Sequence, residues 1–172
     1  HQGSGRESST ISTDIWSHYH MLSYYSAYST TASRTFGGKI FNQYVIVPEQ
    51  NGAQTGISPI GVFCHEFGHA LGMVDYYNTN ITTNTYSGTG KWDLMANGLW
   101  NTDGHVPAHP NPYEKIRLGW ATQQTIDTRG SYTLPPVLTS QTIFRINSPD
   151  ASEYFLLENR ILSNFDAFLP GP

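Results

Sequence analysis

Residues 62–75 read VFCHEFGHALGMVD, and the spacing of the two histidines within them decides how the chain is understood. His65 and His69 stand four apart, which on an α-helix stacks both imidazoles on one side, a turn apart and within reach of a single ion. The helix also carries its own punctuation. Ser58 can cap it, Pro59 suits the first helical position, and Gly72 suits the residue just past the end. Ile60, Phe63, Cys64, Phe67 and Leu71 form an apolar stripe, while Val62, His65, Glu66, His69 and Met73 lie on or near another face. The stripe is therefore expected to pack into the core and leave the histidine face for chemistry.

In an HExxH helix the two histidines bind zinc and the glutamate, here Glu66, acts as base toward the attacking water. A catalytic zinc takes three protein ligands and keeps a fourth position open, so one more ligand is required. Gly72 can adopt the positive φ that turns the chain back toward the metal, and the residue that returns is Asp75, a competent ligand. The whole string HExxHxxGxxD has odds on the order of one in ten thousand or below of arising by chance. The plainer reading is a buried helix with two satisfied histidines. Glu66 argues against it, because a buried carboxylate without a charged partner is costly.

With 172 residues the chain is long enough for one domain, and a fold of that size buries roughly 70% of the surface its unfolded form exposes. Its one cysteine, Cys64, rules out an intrachain disulfide and a four-cysteine zinc site, so any metal must be held by His and carboxylate. Charged residues make up 13% of the chain, about half the usual share of roughly 25%. The resulting polar but weakly charged surface points to an extracellular protein. A net charge of −4 with nine scattered Lys and Arg excludes nucleic acid as the partner. No apolar run approaches membrane-spanning length, and no basic-then-apolar leader opens the chain, so it reads as a mature portion or a trimmed piece.

Elsewhere the pattern is mixed. Residues 1–10 read as loop or frayed end, and DIWSHYHMLSYYSAY, residues 14–28, has apolar residues near helical spacing. KIFNQYVIVPE, residues 39–49, alternates like a strand that Pro48 ends, and the glycine-rich loop at 50–56 leads to the histidine helix. Residues 76–112 read as long loops, and NPYEKIRLGW, residues 111–120, as a short helix closed by Gly119. Beyond residue 122, SYTLP, QTIFRI and EYFLLENR read as strands. The fold class is thus α+β. The expected domains are a catalytic one over 1–122 and a β-rich C-terminal segment over 123–172.

CHEFGHALGMVDYY, GTGKWDLMANGLW, PAHPNPYEKIRLGW, EYFLLENR and FLPG, in that order, resemble the immune inhibitor A family of secreted bacterial metallopeptidases. IWSHYH adds to the resemblance, which runs from about Ile15 to Gly171. It implies a metzincin-like zinc endopeptidase with a twisted sheet and an active-site helix, secreted, cutting proteins in extended conformation. Under it, His65 and His69 match the helix ligands, Glu66 the catalytic base and Asp75 the third ligand, with Asp93 as fallback. Met95 in DLMANG matches the methionine turn beneath the metal. Calcium, sometimes associated with such loops, is a second ion to consider where YYNTN stands, and further strands of the sheet are expected outside this chain.

Other residues take blander roles. His18, His20, His105 and His109 are irregularly spaced and read as surface or locally hydrogen-bonded groups. Tyr76, Tyr77 and Tyr113 could donate to an oxyanion, but a packed ring with a tethered hydroxyl is the ordinary role. The four tryptophans are expected to anchor core and loops, and Cys64 to be an inert buried thiol. A monomer is assumed. The alternative function is a binding or adhesion module, catalytically lapsed, with a structural zinc; such a site closes all four positions and has no use for Glu66.

Overall fold

The computed structural model describes residues 1–8, 11, 13–51, 56–80, 87–150 and 152–171. The histidine helix forms as α1, Ile60–Ala70, one residue later than its signals suggest. Pro59 occupies the cap position with extended backbone and no side-chain cap, while Ser58 is buried and its N–H donates to Glu49 O at 2.9 Å. At the other end the reading holds. Gly72 has φ +86°, its N–H donates to His69 O at 2.9 Å, and Met73 N–H donates to Gly68 O at 3.0 Å. This pair of bonds is the glycine-dependent stop that satisfies the last helical carbonyls.

By its contacts the chain divides into two units, His1–Val74 with Asp103–His105, and Asp75–Thr102 with Val106–Pro172. Each mixes short helices with small sheets, so the α+β class holds.

In the first unit, β1 (His18–Met21) does not continue a helix as the 14–28 spacing suggests. It pairs antiparallel with a later strand, Gln43–Ile46, His18 opposite Ile46 and Met21 opposite Gln43. Rings drive the choice: His20 stacks on Tyr44 at 6.2 Å across the pair, and His18 meets Tyr44 edge-on at 5.9 Å. Aromatic side chains lose rotamer freedom in a helix and gain cross-strand contacts in a sheet. Only short 3-10 turns, Leu22–Tyr24 and Ser26–Tyr28, follow.

The strand read at 39–49 is also broken. Its first part, β3 (Lys39–Ile40), pairs with β2 (Thr35–Phe36) around Gly37 and Gly38, whose φ of +55° and +74° suit a two-residue hairpin turn. The second part is β4 (Gln43–Ile46). Between them Asn42 draws three donors: its O accepts from Leu22 N–H at 2.7 Å, and its Oδ1 from Ser23 N–H at 3.0 Å and Arg34 Nη1 at 2.6 Å. Residues 1–8 are loop, as read, with one 3-10 turn at Arg6–Ser8, and Gly3 O accepts from Gln50 N–H at 3.0 Å. The loop read at 50–56 lies mostly outside the described residues, as do 81–86 within the loops read at 76–112.

α1 lies against β1 and β4. Its faces are the reverse of the expected assignment. The buried residues are Gly61, Val62, His65, Glu66 and Gly68, whereas Ile60, Phe63, Phe67 and Leu71 are 38–57% exposed. Two glycines leave the inner face flat, so neighbours can approach the helix closely there. The tryptophans likewise stand partly in water, at 39–59% exposure, rather than in a core.

In the second unit the helix at 111–120 forms as α2, Pro112–Arg117, with Gly119 at φ +74° beyond its end. β5 (Thr122–Thr125) runs parallel to β6 (Thr142–Asn147), and β7 (Tyr154–Leu157) runs antiparallel to β6, as QTIFRI and EYFLLENR imply. No strand forms at SYTLP. Tyr132 Oη turns back to donate to Thr128 O at 2.8 Å, and Pro135 and Pro136 have no N–H to offer a ladder. The short α3 (Val137–Ser140) fills the crossover instead, and Ala121, Val137 and Ile143 form a core with Ile116 and Leu156 against it.

A buried ionic chain ties α2 to the end of the sheet. Lys115 Nζ lies 2.5 Å from Glu158 Oε2, Arg160 Nη1 lies 3.6 Å from Glu158 Oε1, and Arg160 Nε donates to Asp166 Oδ2 at 3.0 Å. Burial pulls the Lys115 ammonium below the usual lysine range, against the pull of Glu158.

Candidate metal site

A metal site needs lone pairs that converge, and α1 supplies the first two. The His65 and His69 rings are 4.8 Å apart between centroids and nearly perpendicular, at 86°. His69 Nδ1 lies 3.0 Å from Met73 O. A carbonyl can only accept, so Nδ1 carries the proton and Nε2 keeps the lone pair a metal would use. The helix stop at Gly72 therefore does two things: it ends α1, and it swings the Met73 carbonyl back to orient His69. Tyr19 on β1 holds the same ring from the side, at 6.3 Å between centroids.

Asp75 follows two residues after Met73. One ligand atom each from His65, His69 and Asp75 lies within 4.8 Å of the other two. Two imidazoles and a carboxylate form a donor set that suits zinc, and three protein ligands leave a fourth position for water or substrate. His65 and Glu66 are buried, at 5% and 7% exposure, and His69 and Asp75 are half-buried. Glu66 neighbours His65 on the inward side of α1, where a carboxylate has no use as an ordinary surface charge.

Asp93 sits in a different environment. It is fully buried, and its Oδ1 accepts from Met95 N–H at 3.1 Å and Asn111 N–H at 3.2 Å. Its Oδ2 accepts from Asn111 Nδ2 at 2.8 Å and Thr89 Oγ1 at 3.0 Å. A carboxylate offers about four lone-pair sites, and four donors occupy them here. Met95 is fully buried, and its carbonyl accepts from Tyr76 N–H at 2.9 Å.

Of the tyrosines, Tyr76 has its hydroxyl tethered, donating to Glu114 Oε1 at 2.9 Å; burial first, then the Glu114 carboxylate, push this phenol well above its usual range. Tyr113 is 46% exposed. His18 Nδ1 bonds Trp16 O at 2.8 Å, and His20 Nδ1 accepts from Met21 N–H at 2.8 Å. His109 Nδ1 lies 3.0 Å from Asp166 Oδ1. Cys64 is half-buried, and burial raises its thiol. Nothing in the described residues supports calcium: the one group of three or more potential His, Cys, Asp or Glu ligands among them is His65, His69 and Asp75.

Sequence reasoning missed Glu114 and the cap at Asn111, whose Oδ1 accepts from Glu114 N–H at 3.1 Å. A local signal existed, since Asn, Pro and Glu at the cap, first and third positions mark a helix start. The partnership with Tyr76, 38 residues away, has no such signal.

Comparison with known proteins gives three results. Residues 1–121 match the family model described as immune inhibitor A peptidase M6, catalytic domain. The pre-pro-metalloprotease PrtV of Vibrio cholerae serotype O1, in strains M66-2 and ATCC 39315 / El Tor Inaba N16961, is 35% identical over 94 residues. That match covers 50% of this chain and 9% of each relative. No solved structure matches the chain significantly.

Proposed function

Because the chain belongs to the immune inhibitor A peptidase family and is a metallopeptidase by that membership, we propose that it is a secreted, zinc-dependent endopeptidase of metzincin-like fold. The observation that carries this reading is that one ligand atom each from His65, His69 and Asp75 lies within 4.8 Å of the other two, with buried Glu66 next to His65 in α1. Asp75 is the third ligand in this reading and Asp93 is not, since the lone pairs of Asp93 already serve four donors.

Zinc, when bound, supplies Lewis acidity that lowers the pKa of a water toward roughly 7 and polarises the scissile carbonyl. The chain's residues do the rest. His69 presents Nε2 because Met73 O fixes its tautomer. Glu66 accepts the proton of the attacking water and returns it to the departing amine, so no covalent intermediate is needed. Met95 is the methionine-turn residue; its full burial and its bond from Tyr76 N–H support that role.

Secretion is supported by the weakly charged composition and by relatives named as pre-pro-metalloproteases. No helix among the described residues is long and apolar enough to cross a membrane. The test is digestion of an unfolded protein such as casein, with and without chelator, by the protein and by Glu66→Gln. Chelation should abolish cleavage and zinc restore it. The variant should retain zinc and lose about 10²–10⁴-fold in turnover. Zinc bound without any cleavage by the unaltered protein would favour a binding module instead.

A further inference from the structure

Asp75 differs from the two histidines in having no helix to hold it. It lies on a connecting segment, so something must fix its carboxylate for the site to be preformed. The second unit contains a closed ring of hydrogen bonds that begins and ends at the next residue. Tyr76 Oη donates to Glu114 Oε1 at 2.9 Å, and Glu114 N–H donates to Asn111 Oδ1 at 3.1 Å. Asn111 Nδ2 donates to Asp93 Oδ2 at 2.8 Å, and Met95 N–H donates to Asp93 Oδ1 at 3.1 Å. Tyr76 N–H then closes the ring on Met95 O at 2.9 Å.

Three of the ring's members, Asp93, Met95 and Glu114, are at most 1% exposed, and Asn111 is 9% exposed. Bonds shielded from water in this way are stiff, because breaking one leaves a buried group without a partner. The remaining atoms of Tyr76 are held too. Its carbonyl accepts from Thr89 N–H at 3.0 Å, and the turn there comes so close that a Cβ on Gly88 would stand 1.5 Å from that oxygen. Arg117 Nε donates to Glu114 Oε2 at 2.6 Å and holds the carboxylate from its other oxygen.

The peptide joining Asp75 to Tyr76 is planar, so fixing the Tyr76 N–H fixes the orientation of the Asp75 carbonyl and leaves its side chain little more than two torsions. We propose that this ring positions Asp75 as a metal ligand, with Tyr76 as the positioning residue that carries the rigidity of α2 to it. The proposal rests on Asp75 serving as the third zinc ligand, as above. It gives Asp93, Asn111 and Glu114 one common purpose, and outer groups that orient ligands typically change metal affinity by about 10–100-fold when removed.

The experiment uses the 172-residue chain and two readouts: zinc affinity by competition with a chromophoric chelator, and the visible spectrum of the cobalt-substituted protein. Tyr76→Phe keeps the ring and removes only the hydroxyl. It should weaken zinc about tenfold and alter the cobalt bands. Glu114→Gln should act in the same direction, and the double variant should be no worse than the poorer single one, since both break the same bond. Ile143→Val, in the core of the sheet, lowers stability without touching the ring and should leave both readouts unchanged.

Unaltered affinity and spectrum in Tyr76→Phe, or an equal loss in Ile143→Val, would overturn the proposal. If Tyr76→Phe does not fold, Glu114→Gln decides by the same two readouts. Failure of the unsubstituted chain to bind zinc would instead refute the metal site itself, so the two failures are distinguishable.

Discussion

Replacing Gly72 by alanine is the perturbation whose cost follows most directly from the backbone. Gly72 has φ +86° and is exposed, so an added methyl group meets strain from its own backbone rather than from a crowded core. Holding an L-residue in left-handed conformation costs about 1–2 kcal/mol. If the chain relaxes instead, it weakens the bonds from Gly72 N–H to His69 O and from Met73 N–H to Gly68 O, each worth about 1 kcal/mol net. Either route predicts a loss of about 1–3 kcal/mol. For a chain of this length the thermal midpoint falls by about 2–4 °C per kcal/mol, so a drop of about 2–12 °C is expected. Measured in chelator, the loss contains no contribution from metal. Asparagine tolerates this conformation better than alanine, so stability should fall in the order Gly72, Gly72→Asn, Gly72→Ala. An alanine variant as stable as the parent, or an asparagine variant no better than alanine, would refute the reasoning. Zinc affinity should follow the same order, because the turn also delivers Met73 O to His69.

Further outcomes separate structural carboxylates from the proposed ligand. Asp93→Asn puts an amide N–H₂ among four donors and should cost about 2–3 kcal/mol in chelator by urea unfolding. Asp75→Asn should leave that stability nearly unchanged and abolish tight zinc binding by equilibrium dialysis. Asp166 concerns acid stability: burial alone would raise its carboxyl, but His109 and Arg160 hold it well below the usual range. A carboxyl lowered on folding adds stability that is complete above its unfolded pKa of about 3.9 and fades as pH falls toward the folded value. Between about pH 5 and pH 2, unfolding followed by circular dichroism should therefore show a steeper loss for the unsubstituted chain than for Asp166→Asn. Parallel curves would contradict this assignment.

What the sequence disclosed follows the range of the forces involved. Gly72 announced its left-handed turn because only glycine enters that region without cost, and Pro112 and Gly119 announced α2 for similarly local reasons. β6 and β7 were readable as short runs of β-branched, aromatic and apolar residues set off by Ser, Pro and Asp. The run at residues 14–28 misled because its aromatics fall near helical spacing while their energetic partners, such as Tyr44, lie on another strand. The break at Asn42 depends on Leu22, Ser23 and Arg34 and has no signature in its own neighbours. The motif residues of the candidate site were legible as positions. Their supports, Tyr76 through Glu114 above all, were not, because nothing local couples residues 38 apart.

The inverted faces of α1 carry a consequence for how the molecule behaves in company. Ile60, Phe63, Phe67 and Leu71 present a greasy ridge along the outside of the histidine helix, and water favours covering such a surface by about 25 cal/mol per Å². Charged residues are few, at 13% of the chain, so mutual repulsion does little to keep copies apart. The ridge therefore adds to the molecule's pull toward other apolar surfaces, a pull that structure-forming salts strengthen.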